Sequence, residues 1–337
     1  MLQLERVGVE DNFFDLGGHS LSAITTMARL QEMLKTQLPL TTIFQAQTIE
    51  NLAALIEKGA TQGFSTLVQL NKSVTGPTLY CFPPGGGGHA TSYRPLANAL
   101  SGDINVYGVQ ARDLIDENYV PDDMQTLVKD YAEQIIQHSP KGPYHLLGWC
   151  LGAQMVMEVA HYLESNNQPV GLVAIVDYDS QVQIKQPETE SLELVTDFID
   201  YINAVGIQIS DANINELKQQ IARKSYTDGL DYLIHYGLQN GYLSSQLTQA
   251  QLKIKFMAEK QASRLMKANV MPCISSDIVL WMTAEKVEHG HKVLSAWQNH
   301  SYGKALPHIL QEDHFSIIQS APFFAGVRKS LLGGEGV

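Results

Sequence analysis

Cysteine is scarce in this sequence: Cys81, Cys150 and Cys273 are the only three in 337 residues, and they stand far apart. An odd count at wide, unpatterned spacing excludes a disulfide framework and a thiolate-rich zinc cluster, and it fits a reducing compartment. Basic residues are also few, with 23 Lys and Arg against 35 Asp and Glu and a formal charge of −12. Neutralising phosphates needs a basic face, and no run of Lys and Arg interleaved with aromatics occurs, so nucleic acid is not an expected partner. No apolar stretch approaches the roughly 18 residues of a membrane span. Met1-Leu2-Gln3-Leu4-Glu5-Arg6 has neither the basic flank nor the apolar centre of a secretory signal. These absences point to a cytoplasmic protein without membrane contact. What is present is ordinary globular material, 44% hydrophobic, and the length favours about two domains.

The hydrophobic pattern divides the chain. Residues 1–59 read as a small helical unit. An amphipathic run starts at Ser20, with Leu21, Ile24, Ala28 and Leu30 near helical spacing as far as Leu34. A second helix is expected over Thr48–Lys58, with Thr48 as N-cap and Ile49, Leu52, Leu55 and Ile56 on one face. Residues 60–77, with Gly63, Ser65, Asn71, Ser73, Gly76 and Pro77, form a connector in which residues 66–70 offer a first edge strand. From residue 78 to 337 short apolar runs alternate with helical ones. Strands are expected at Thr78–Phe82, Ile104–Val109, Tyr144–Leu147, Leu172–Val176, Ile278–Met282 and Pro307–Leu310, with helices at Met124–Gln137 and Ala153–Glu164. Such alternation predicts a mostly parallel, doubly wound α/β sheet. Residues 181–270 hold only helical patterns, at Leu192–Val205, Ile214–Ala222 and Leu247–Met266, as a lid inserted over a site would.

Three motifs carry chemistry. In Asp11-Asn12-Phe13-Phe14-Asp15-Leu16-Gly17-Gly18-His19-Ser20-Leu21 the glycines permit a tight turn before a helix that begins at Ser20. A helix start favours a phosphate through its free N–H groups, although Ser20 as a plain N-cap is the ordinary alternative. Gly148-Trp149-Cys150-Leu151-Gly152-Ala153 lies between an expected strand and an expected helix, the setting of a nucleophile elbow with small flanking residues. A buried structural cysteine is the competing reading. Phe82-Pro83-Pro84-Gly85-Gly86-Gly87-Gly88-His89 lacks the lysine and hydroxyl of a phosphate-binding P-loop. After a first strand it suits an oxyanion loop, with Gly85 or alternatively Gly86 giving one N–H and Leu151 the other. The acid and histidine then follow in order. Asp177, at the end of Leu172–Val176, is the favoured acid, with Asp179 beside it and Glu285 one strand later as alternatives. Among 11 histidines, His314 follows the last strand, within Glu312-Asp313-His314-Phe315. His289 and His291 lack a third ligand nearby, so no metal is expected.

These motifs carry a resemblance. Residues 4–59, including Leu38-Pro39-Leu40, Ile43-Phe44 and Thr48-Ile49, resemble peptidyl carrier proteins. That implies 4′-phosphopantetheine on Ser20, placed there by a phosphopantetheinyl transferase. The family's helix ahead of Val7-Gly8-Val9 is reduced to a stub, so the chain is expected to be a fragment of a longer polypeptide. Residues 67–333 resemble type I thioesterases, which have an α/β-hydrolase fold with a helical lid. Together the two resemble the C-terminal end of a nonribosomal peptide synthetase, with cysteine where the family's nucleophile is usually serine. The resemblance implies acyl transfer from a peptidyl thioester delivered by upstream synthetase modules, with Cys150, Asp177 and His314 as the triad. A standalone ester hydrolase, which would not need Ser20, and an inactive module that only docks a carrier are the rival readings.

Overall fold

The computed structural model describes residues 2, 4, 6–18, 20–35, 38, 42–57, 66–71, 75–84, 90–110, 123–180, 190–204, 209–243, 249, 252–253, 256, 260, 265, 270–288 and 291–333. The N-terminal part holds three helices: α1 (Ser20–Leu34), α2 (Thr42–Gln45) and α3 (Ile49–Glu57). Gly17 leads into α1 at φ 92°, a left-handed conformation that suits glycine. A Cβ on Gly18 would lie 2.3 Å from the Phe13 ring, so this position tolerates no side chain. Ala23 and Met27 are buried one turn apart on α1. His19, Pro39, Leu40 and the side chains of Ser20, Leu21, Ile24 and Ala28 lie outside the described residues. Thr48 caps α3, its Oγ1 accepting the Asn51 N–H at 3.2 Å. Leu52 and Ile56 pack inward, but Ile49 is exposed. Ile49 was expected on the same face; at the first helical position it overhangs the end of the contact.

The rest is built on seven strands: β1 (Leu67–Gln69), β2 (Thr78–Phe82), β3 (Asn105–Val109), β4 (Tyr144–Trp149), β5 (Val170–Val176), β6 (Ile278–Thr283) and β7 (Ala305–Leu310). They lie in the order β1-β3-β2-β4-β5-β6-β7. Only β1, at the edge, runs antiparallel. β6 is buried along its whole length and β5 over its last five residues, as unbroken apolar strands covered on both faces require. One face is covered by α4 (Arg94–Ala99) and the closing helix, through Leu96, Phe323 and Val327. The other is covered by α5 (Met124–His138) and α6 (Gly152–Ser165), through Ile135, Val156 and Val159.

Between β5 and β6 lie α7 (Glu190–Ala204), α8 (Asp211–Ile221) and α9 (Tyr226–Gln239). Ser210 and Ser225 cap α8 and α9. The three share a separate core that includes Val195, Phe198, Leu217 and Leu233. The helix expected at Leu247–Met266 lies largely outside the described residues. After β6 come α10 (Ala284–Glu288) and α11 (His291–Gln298), and after β7 α12 (Ala321–Leu332), capped by Ser320 and ended by Gly333 at φ 68°.

The N-terminal unit packs against the sheet. Phe14 and Ile43 share a core with Val68 and Leu70. Gln47 Nε2 donates to the Gln69 carbonyl at 3.0 Å. Arg94 donates to Gln47 Oε1 at 2.8 Å, pairs with Asp15, and lies 5.4 Å above the Phe14 ring centre. The connector is held too: the Asn71 side chain bonds the carbonyls of Ala97 and Ile104 and the N–H of Val106.

Candidate active site

β4 runs straight into the elbow. Cys150 sits at φ 55°, a conformation that strains any residue with a Cβ. The glycines on either side are needed for the turn to close. A Cβ on Gly148 would lie 2.3 Å from the Gly152 carbonyl oxygen, and one on Gly152 would lie 2.6 Å from the carbonyl oxygens of Phe82 and Pro83. The Cys150 N–H donates to the Val176 carbonyl at 3.1 Å, and the Cys150 carbonyl accepts from Ala153 at 3.0 Å as α6 begins. Among the described residues the Leu151 N–H meets no acceptor, which leaves a donor beside the sulfur. Gly85 and Gly86, expected to give the other donor, lie outside the described residues. Tyr93 ties the two loops together: its hydroxyl donates to the Phe82 carbonyl and accepts from the Trp149 N–H at 3.0 Å.

Asp177 stands one strand over, past the end of β5, at φ 46° and almost fully buried. Its N–H reaches the Trp281 carbonyl at 2.8 Å. Oδ1 accepts from the Thr283 N–H at 3.1 Å and Oγ1–H at 3.0 Å. Oδ2 accepts from His314 Nδ1 at 2.6 Å and faces Lys286 Nζ at 3.0 Å. Burial alone would raise this carboxyl's pKa. The His314 bond, the Lys286 charge and the Thr283 N–H outweigh burial and hold it well below the usual carboxylate range.

His314 lies in a turn beyond β7, where Asp313 Oδ1 accepts from the N–H groups of Phe315 and Ser316 at 2.8 and 3.0 Å. Trp149 Nε1 donates to the His314 carbonyl at 3.1 Å, and the two rings sit 5.3 Å apart. Burial pushes the imidazole pKa down. The Asp177 hydrogen bond and a second to the Cys150 thiol reverse this and lift it to about 9. The His314 imidazole therefore stands between the Cys150 thiol and the Asp177 carboxylate. Glu285, in the first turn of α10, does not take the histidine, and nor does Asp179.

Cys81, by contrast, is wholly buried, and burial drives its thiol far up. Among the described residues no group of His, Cys, Asp and Glu could hold a metal. His289 and the His291 side chain lie outside them. No described helix is long and apolar enough to cross a membrane. Sequence reasoning missed Thr283, Lys286 and Tyr93, and no local motif marks any of them.

At the other end of the chain, Gly17 and Gly18 bring the backbone into α1 at Ser20 without side-chain obstruction. This helix start fits a phosphate ester on Ser20, at the positive end of a 15-residue helix.

Residues 77–329 match the family described as Thioesterase domain, and residues 1–56 match that described as Phosphopantetheine attachment site. The chain is 39% identical over 178 residues to a dimodular nonribosomal peptide synthase of Bacillus subtilis (strain 168), covering 52% of this chain and 7% of that one. It is 29% identical over 252 residues to tyrocidine synthase 3 of Brevibacillus parabrevis, covering 71% of this chain and 4% of that one. The chain thus spans a small fraction of the curated relatives it matches. Among solved structures it resembles a holo four-domain nonribosomal peptide synthetase bound to AMP and glycine, with TM-score 0.67, 22% identity, and coverage of 98% of this chain and 25% of that one. It also resembles the Vlm2 thioesterase domain bound with a dodecadepsipeptide, with TM-score 0.55, 19% identity, and coverage of 81% and 98%. These structural likenesses show the fold, an α/β-hydrolase preceded by a small helical unit.

Proposed function

We propose that this chain, which belongs to the thioesterase domain family and carries a phosphopantetheine attachment unit ahead of that domain, releases a peptidyl thioester by acyl transfer through Cys150. The observation that carries the reading is the chain from Cys150 through His314 to Asp177, assembled at the carboxyl ends of β4, β5 and β7. In an α/β-hydrolase these ends are where the reacting groups gather. Ser20 holds the arm, whose terminal thiol presents the peptide as a thioester. Residues 1–59 act as the carrier unit, 60–77 as the connector and 78–337 as the catalytic domain. Upstream synthetase modules supply the peptide, and a phosphopantetheinyl transferase modifies Ser20.

His314 takes the thiol proton, and the Cys150 thiolate attacks the substrate carbonyl carbon. Negative charge develops on the carbonyl oxygen, where the Leu151 N–H and an N–H of Gly85 receive it. The tetrahedral adduct collapses, the carbon–sulfur bond of the substrate breaks, and the His314 imidazolium protonates the departing thiolate of the arm. In the second half, water or a nucleophile within the peptide gives its proton to His314 and attacks the acyl-Cys150 carbonyl. Cys150 leaves as thiolate. Asp177 holds the imidazole in register and balances its charge. The α7–α9 helices, inserted directly after the acid-bearing strand, act as a lid that shields the acyl-enzyme from water.

Intact mass spectrometry tests this. A small acyl thioester should add one acyl group to the wild type and none to Cys150→Ala. A phosphopantetheinyl transferase with coenzyme A should add one arm to the wild type and none to Ser20→Ala. Acylation that survives Cys150→Ala, or an arm that survives Ser20→Ala, rejects the corresponding assignment.

A further inference from the structure

Asp177 is shared between two cations. Lys286, on α10, faces the same Oδ2 that receives His314, at 3.0 Å against 2.6 Å. Its ammonium also donates to the Asp177 backbone carbonyl. The Lys286 N–H reaches back to Thr283 Oγ1 at 3.4 Å, and Thr283 in turn donates to Oδ1. The segment 283–286 therefore wraps both oxygens of the carboxylate and the backbone behind it. That backbone needs holding, because at φ 46° a residue with a Cβ is strained.

Charge gives the lysine a second consequence. The groups bearing on the imidazole are Asp177 from the end of β5, Cys150 from the elbow and Lys286 from α10. Tyr93 and Tyr178 lie beside Cys150, and Asp179 beside Tyr178. The Asp313 carboxylate is turned into its own loop. A thiolate and a carboxylate flanking one imidazolium leave a net negative site, and Lys286 balances it. Without this lysine the imidazolium sits between two anions and binds its proton more tightly.

We propose that Lys286 is a positioning residue of the acyl-transfer site: it fixes the Asp177 carboxylate and backbone together and, by opposing the imidazolium, keeps His314 able to give its proton to the departing thiolate. The proposal rests on the reading of Cys150, His314 and Asp177 as the triad.

The test uses the full chain and a small acyl thioester across pH 6 to 10.5, following acyl-enzyme formation and turnover. Misplacing a catalytic group by a fraction of an ångström to 1 Å costs up to about a hundred-fold. Lys286→Met should therefore lower kcat roughly ten- to a hundred-fold with KM unchanged, and should move the alkaline limb above its wild-type position. Lys286→Arg should restore both. Should methionine not be tolerated, Lys286→Gln keeps a donor without the charge and must also move the limb upward. An unmoved limb in Lys286→Gln or Lys286→Met overturns the proposal, as does a loss confined to KM. Failure of the wild type to form acyl-Cys150 overturns the triad reading itself, so the two failures are told apart on unmutated protein.

Discussion

Replacing Arg94 with alanine removes every side-chain contact that this residue makes across the two folded units. The guanidinium, only 12% exposed, donates to Gln47 at 2.8 Å, pairs with Asp15 and covers the Phe14 ring. A hydrogen bond from a charged group contributes about 1.5–3 kcal/mol. Asp15 is 58% exposed, so its ion pair adds only about 0–1 kcal/mol. The cation–π contact over the buried Phe14 ring adds about 0.5–2 kcal/mol. Contacts that share one side chain are not additive, and about 2–3 kcal/mol for the group is a fair total. At 1.4 kcal/mol per factor of ten, the docked arrangement weakens about 30- to 150-fold. The assay loads Ser20 with an acylated arm and follows single-turnover release by intact mass. Turnover of a free small thioester is measured in parallel. Arg94→Ala should slow release from the loaded chain by up to about 150-fold and leave the free thioester within about two-fold. Asp15→Ala should do far less, since its charge is mostly in water. Equal losses on both substrates would mean that Arg94 supports the hydrolase fold, and unchanged release would mean that this contact plays no part in delivery.

Three further outcomes follow from the site. Asp177→Asn should depress turnover about 10³–10⁴-fold by holding the wrong imidazole tautomer, whereas Glu285→Gln should stay within a few-fold; steady-state kinetics showing the reverse would return the acid to Glu285. His314 is raised from 6.5 to about 9 by folding, so its stabilisation is full below about pH 6.5 and lost as pH rises through 9, while Asp177, lowered from 3.8, stabilises above about pH 4 and loses this as pH falls further. Thermal unfolding should therefore show the wild type's advantage over His314→Ala greatest between about pH 4 and 6.5 and gone above about 9; a constant difference from pH 5 to 10 contradicts the coupling. Cys150→Ser should accumulate more acyl-enzyme and form product more slowly from the loaded chain, and equal or faster product formation would show that the sulfur confers nothing.

The strands were legible because β5 and β6 are unbroken apolar runs, and Cys150 because few other turns demand a glycine two residues before and two after one residue. His314 could be picked from 11 histidines because the order of nucleophile, acid and base limits where the last member can fall. Strand ends were misplaced by one or two residues, since they are set by pairing such as Thr283 with Leu310 rather than by hydrophobicity. Lys286 and Thr283 were invisible for a related reason. They reach Asp177 only because β5 and β6 pair in the register Val176 opposite Trp281, which brings together residues more than a hundred positions apart. Tyr93 and Arg94 read as unremarkable positions at a helix start, and their partners Trp149 and Gln47 lie in other parts of the chain.

A cysteine at this elbow changes the energetics of both halves of the proposed reaction. A serine would turn the incoming thioester into an oxygen ester, which is more stable, so part of the activation would be lost at acylation. A cysteine exchanges thioester for thioester, nearly isoenergetically, and keeps the activation for the release step. The corollary is that acylation is as easily reversed as made, especially while the N-terminal unit stays docked through Arg94 and the departing thiol remains close. What opposes reversal is protonation of that thiol. Once Cys150 is acylated it no longer raises the imidazole, and the Asp177 hydrogen bond is what keeps the imidazolium charged and poised to give its proton to that sulfur. The hydrogen bond that the Asp177 carboxylate accepts from the imidazole, and the lysine that tempers it, act together on that proton.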